Sequence, residues 1–148
     1  MTIQECYAQM GADYNEVFRR LYNEAMIRKF VLLFPKDDSF HNLEAALKEQ
    51  NVKEAFRAAH TLKGVCQNLG FSNLYAPAVT LTETLRAGQL DGTAEQFAEV
   101  EKQYRILRWP PFRHWTERNE IPRRIRFHSG RVRRGICIIA AFFVFRSR

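Results

Sequence analysis

Cysteine is scarce in this chain. Three residues, Cys6, Cys66 and Cys137, are odd in number, far apart and without a C-x-x-C pair, which argues against a disulfide framework and a zinc site. The four histidines, His41, His60, His114 and His128, also lack metal-ligand spacing. No Gly-rich phosphate loop, kinase signature or pair of catalytic carboxylates is present. Long apolar runs are missing too. The longest, Ile136 to Phe145, is about half of the roughly 20 residues a membrane-spanning helix requires. Met1 to Met10 holds no apolar run behind a basic flank, so neither a signal peptide nor a membrane span is expected. A cytoplasmic location is the expectation.

At 148 residues, 46% hydrophobic and 26% charged, the chain has the size and balance of one globular domain. Its net charge of +7 is unevenly placed. Residues 1–107 carry 12 Lys and Arg against 14 Asp and Glu, whereas residues 108–148 carry 11 Arg, no Lys and two Glu. The second segment also holds both tryptophans, Trp109 and Trp115, with Pro110, Pro111 and Pro122. Two units are therefore expected, a helical domain over 1–107 and an irregular Arg-rich tail over 108–148.

Up to Leu107 the apolar spacing is helical nearly throughout. Asn15 is expected to cap a short helix with Val17, Phe18 and Leu21 on one face, and Asn23 a second that Pro35 stops. Ser39 is expected to open a third, with Phe40, Leu43, Ala46 and Leu47 inward. Asn51 and Glu54 form a capping-box signature for a helix over Val52 to Leu69, closed by Gly70. Ser72 starts the next, which Gly88 ends, and Pro77 within it predicts a kink or a late start. Thr93 and Gln96 form a second capping-box signature, ahead of Phe97, Val100, Tyr104 and Leu107. Short links between amphipathic helices predict an all-α fold, an antiparallel up-and-down four-helix bundle with short N-terminal helices.

On a wheel of about 100° per residue, Val52, Ala55, Ala59, Leu62, Cys66 and Leu69 make the buried stripe of the 52–69 helix. His60 falls roughly 130° or more from its centre and is expected in solvent, with Lys53, Arg57, Lys63, Gly64 and Gln67 on its side. An exposed imidazole is available as a nucleophile near neutral pH. Lys63, three positions on, shares its surface, and with Arg57 and Lys53 would offset charge on a phosphoryl group. Gly64 costs roughly 1 kcal/mol relative to alanine in a helix interior, and its missing side chain would let a partner approach His60. Phosphoryl transfer rewards such access, because it depends on in-line alignment. Taken singly, each feature has a plain reading: a surface histidine, a solvated charged face, a glycine for helix packing. A nucleophilic pair of His60 with Cys66 is excluded, because Cys66 lies on the buried stripe.

The run His60-Thr61-Leu62-Lys63-Gly64-Val65-Cys66-Gln67-Asn68-Leu69-Gly70 closely resembles the signature of histidine phosphotransfer (HPt) domains, and the resemblance covers roughly residues 12–107. It implies a four-helix bundle with His60 as phosphoacceptor midway along the second bundle helix, Lys63 assisting the phosphoryl group and Gly64 leaving space for a docking receiver domain. The implied partners are response-regulator receiver domains, a hybrid histidine kinase, or both. The chain itself would need no cofactor, since Mg2+ and the catalytic aspartate belong to the receiver. Phe71 is a candidate apolar docking contact, and a monomer without membrane or bundle-borne nucleic-acid contacts is expected. One departure concerns the glutamine that several family members place on the following helix against the histidine ring. Its counterpart here reads as Thr82, followed by Glu83, a shorter side chain that leaves ring positioning open.

A chain starting at Met1, just ahead of the bundle, suits a free-standing unit. The switch at residue 108 suits a tail read from a shifted frame or a damaged terminus, or else a basic extension that contacts nucleic acid or anionic lipid. Nucleic-acid or anionic-surface binding through that tail is the alternative function, and a bundle that docks a partner without transfer is a third. Resequencing the coding DNA is expected to reveal a frame change near codon 108. An intact frame in independent reads removes that explanation.

Overall fold

The computed structural model describes residues 2–108. The expectations for the tail beyond Arg108 lie outside the described residues. Seven α-helices follow one another: α1 (Ile3–Met10), α2 (Tyr14–Leu21), α3 (Glu24–Leu33), α4 (Ser39–Lys48), α5 (Val52–Leu69), α6 (Ser72–Arg86) and α7 (Thr93–Leu107). A 3-10 turn, Phe34–Lys36, separates α3 from α4, with Pro35 in its first positions where a missing N–H costs nothing. No strand occurs among the described residues, and none of their helices is long and apolar enough to cross a membrane.

Local chemistry sets most helix ends. Thr2 and Glu5 form a reciprocal capping box at α1, a T-x-x-E signature that predicts a helix start although the reading of the sequence passed over it. Asn23 accepts from the Met26 amide at 3.2 Å and Asn51 from the Glu54 amide at 3.2 Å, each as expected. Three expected caps fall elsewhere. Asp13, not Asn15, caps α2 by accepting from the Glu16 amide at 3.0 Å. Asp38 occupies the cap position of α4, and Ser39 is its buried first helical residue, its amide donating to the Asp37 carboxylate at 3.0 Å. Gly92 caps α7, and the Thr93 hydroxyl donates backwards to the Leu90 carbonyl at 2.6 Å, so the expected capping box does not form. Helix α6 begins at Ser72, so Pro77 lies inside it and does not delay its start.

Helix α5 is central. It packs along both α4 and α6, α6 packs on α7, and α2 and α3 also touch α5. Its buried face holds Ala55, Ala58, Ala59, Leu62, Val65, Cys66 and Leu69, wider than the expected stripe by Ala58 and Val65, while Val52 is only half-buried. Two covering helices explain the width, since α4 and α6 each occupy a flank. Phe40 of α4 stacks on Tyr104 of α7 with ring centroids 3.9 Å apart, bringing the first and last of these four helices together.

Gly70 ties the N-terminal helices to α5. It adopts φ +66 at the end of α5, and its carbonyl accepts from the Asp13 amide at 2.9 Å. A Cβ there would stand 2.6 Å from the Asp13 carbonyl oxygen. Both strain and collision therefore select glycine. Gly70→Ala is expected to lower stability by at least about 1–2 kcal/mol, read from the urea midpoint. An unchanged midpoint would show that the turn relaxes freely.

Candidate functional site

Burial on one face of α5 presents His60 on the other. Eight residues into an 18-residue helix, His60 has its backbone held by the ladder on both sides, so the imidazole stands on a rigid support. The side chain is exposed, as the wheel predicts. Among the described residues, no side chain makes a hydrogen bond to its ring.

Helical side chains lean toward the N-terminus, so residues after His60 tilt toward it and residues before it tilt away. Lys63 follows by three positions, a spacing that puts the two residues on neighbouring surface with Cβ atoms about 5–6 Å apart. It is half-buried, and no carboxylate pairs with it among the described residues. Arg57 leans away and pairs with Glu54 at 2.9 Å, so its charge is partly neutralised by a neighbour on its own helix. Lys53 is exposed two turns before His60, roughly 10 Å along the axis, and also leans away. Gln67 is exposed two turns beyond, and its backbone carbonyl accepts from the Arg20 guanidinium of α2. Of the four polar side chains expected around His60, Arg57 is thus the one in an ion pair among the described residues.

Gly64 settles the question its cost raised. A Cβ built there meets nothing within 4 Å among the described residues, so close packing of the described helices is not why glycine occupies the position. The backbone is ordinary helix, and conformational need does not explain it either. What the missing side chain leaves is an open surface one turn from His60.

One expectation is corrected. Phe71 is no docking contact: it lies at the start of α6, 1% exposed, its ring 4.9 Å from that of Phe34 and 5.9 Å from that of Tyr7. The chain turns at Gly70, so the helical extrapolation that placed Phe71 beside His60 fails there. Thr82, the shorter residue at the position of the family's glutamine, leaves the ring without a bond from α6, as its length suggests. It is fully buried, and its hydroxyl donates to the Ala78 carbonyl of its own helix at 2.6 Å. Cys66 is likewise buried, which pushes its thiol pKa upward and removes it as a nucleophile.

Phe56 was missed. Its half-buried ring lies 5.9 Å from the His60 imidazole, and the Arg86 guanidinium at the end of α6 lies 5.8 Å over it. The i−4 spacing of Phe56 to His60 was the available signal, because the lean of His60 carries it onto that position.

The face of α5 left outside the core thus holds an exposed imidazole at mid-helix, a lysine three positions on and a glycine one turn away. Residues 37–108 match the family model described as Hpt domain, so the chain carries an Hpt domain and belongs to that family over those residues, spanning α4 to α7. Phosphotransfer in a phosphorelay is the general function of such a domain. Comparisons with curated proteins and with solved structures found no match.

Gly64→Ala is expected to raise stability by about 1 kcal/mol in chemical denaturation, because helix propensity improves and nothing is displaced. A loss of stability would point to a packing need that the open space does not suggest.

Proposed function

We propose that the protein is a phosphohistidine carrier that accepts a phosphoryl group from one receiver aspartate and donates it to another. The observation that carries this reading is His60 in solvent at mid-helix, three positions before Lys63 and one turn before the open space at Gly64, inside the segment that matches the Hpt model. The four helices of that segment are read as the antiparallel up-and-down bundle, with α5 as its second member.

The transfer follows from the geometry. The unprotonated nitrogen of His60 attacks the phosphorus of an aspartyl phosphate, an N–P bond forms and the acyl-phosphate P–O bond breaks, releasing the aspartate as carboxylate. The ring carries the new positive charge until its remaining N–H proton passes to solvent. Lys63 screens the phosphoryl oxygens at that moment, when their charge is least offset by the departing aspartate. Donation to a second receiver is the same exchange in reverse.

Nothing in the sequence resembles a nucleotide-binding loop, so the chain is read as a carrier without kinase activity, dependent on a partner for its phosphoryl group. Hybrid histidine kinases and response regulators are the partner classes, with Mg2+ held by the receiver. The working unit is read as a monomer, residues 1–107 as its domain.

Incubation with a phosphorylated receiver is expected to place acid-labile phosphate on the wild-type protein and none on His60→Gln. Lys63→Ala should slow uptake by about 10- to 100-fold, the range of a lost charge contact to a reacting group. Gly64→Gln should also slow uptake, by obstructing approach. Equal labelling of His60→Gln and wild type defeats the assignment.

A further inference from the structure

Ring orientation at His60 needs a cause. Its imidazole has no hydrogen-bonding side chain among the described residues, and the threonine at the expected position on α6 is buried and engaged with its own helix. A freely rotating ring would present its attacking nitrogen in line only part of the time, and in-line alignment is what phosphoryl transfer depends on.

Two contacts on the surface address that need. The side chain of His60 leans toward the preceding turn, where Phe56 waits four residues earlier, with ring centroids 5.9 Å apart and planes at 33°. Phe56 is itself restrained. Its ring is half-buried, and Arg86, from the last turn of α6, places its guanidinium 5.8 Å over it. Arg86 is steadied in turn by Glu83 at 3.5 Å. Exposed aromatic surface on a helix carries a cost in water, and an aromatic lodged between an imidazole and a guanidinium offsets it by contact on both.

Resting on the proposed role of His60, we infer that Phe56 is the positioning residue that holds the His60 ring, with Arg86 holding Phe56. The histidine is oriented by ring packing from its own helix, where a hydrogen bond from the next helix would otherwise serve. Arg86 thereby couples the site to α6, and the Phe56 ring limits rotation of the imidazole while leaving its outward nitrogen free for attack.

The test uses the full chain with isotope-labelled histidine and a receiver domain phosphorylated by acetyl phosphate. The His60 ring-proton resonances of wild type should carry a ring-current shift that Phe56→Leu removes and Phe56→Tyr retains. The single-turnover transfer rate at saturating receiver should fall about tenfold in Phe56→Leu, with receiver affinity within twofold of wild type, and should recover in Phe56→Tyr. Arg86→Gln, at an exposed position, should lower the rate about threefold with the same pattern and supports the inference should Phe56→Leu fold poorly. Unchanged resonances in Phe56→Leu overturn the inference, as does a loss confined to affinity. Failure of the underlying reading looks different: wild type then takes up no phosphate, while the resonance comparison still decides whether Phe56 orients the ring.

Discussion

A helix packed on two sides has one strip left for solvent, and this constraint on α5 organises the molecule. Three alanines, Ala55, Ala58 and Ala59, let neighbouring helices come close to its first half, and Leu62, Val65, Cys66 and Leu69 fill the second. With α4 and α6 packed along it, the face that remains outside the core carries His60. The position of the imidazole is thus a consequence of burial elsewhere on the same helix. Rigidity comes from the same source, because displacing α5 would expose much of the core.

The direction in which helical side chains lean turns that strip into an asymmetric site. Arg57, three positions before His60, is drawn into an ion pair with Glu54, whereas Lys63, three positions after it, has no carboxylate partner among the described residues. A face that looks uniformly basic on a wheel therefore differs on the two sides of the histidine. Gly64 lies on the same face. Helix propensity disfavours it, no side chain among the described residues would meet a Cβ there, and it stands one turn from His60.

The segment ahead of the matched domain is knitted into the core by aromatic rings. Tyr7 of α1 meets Phe71, Phe71 meets Phe34, and Phe34 lies 5.7 Å from Tyr104, which stacks on Phe40. These contacts, with the bond from Asp13 to Gly70, hold α1 to α3 against the bundle helices near the end of α5. Edge-on and stacked ring pairs of this kind contribute about 0.5–1.5 kcal/mol each beyond the area they bury. Phe71, 1% exposed, serves the fold at this junction.

Much was legible in the residues alone. Helix α5 from Val52 to Leu69, its Asn51 cap, its glycine stop and the outward face of His60 all follow from periodicity and local capping, which act over neighbouring residues. The histidine–lysine–glycine spacing is local too, so the motif could be recognised before any packing was known. Tertiary structure decided the rest. Whether Asp13 or Asn15 caps α2, whether Thr93 caps α7, and where Phe71 and Thr82 point depend on how the chain turns at Gly70 and which helices cover α6. The approach of Arg86 to Phe56 joins residues 30 apart across two helices. No pattern along one helix contains that contact, because it is made by the packing of α6 on α5.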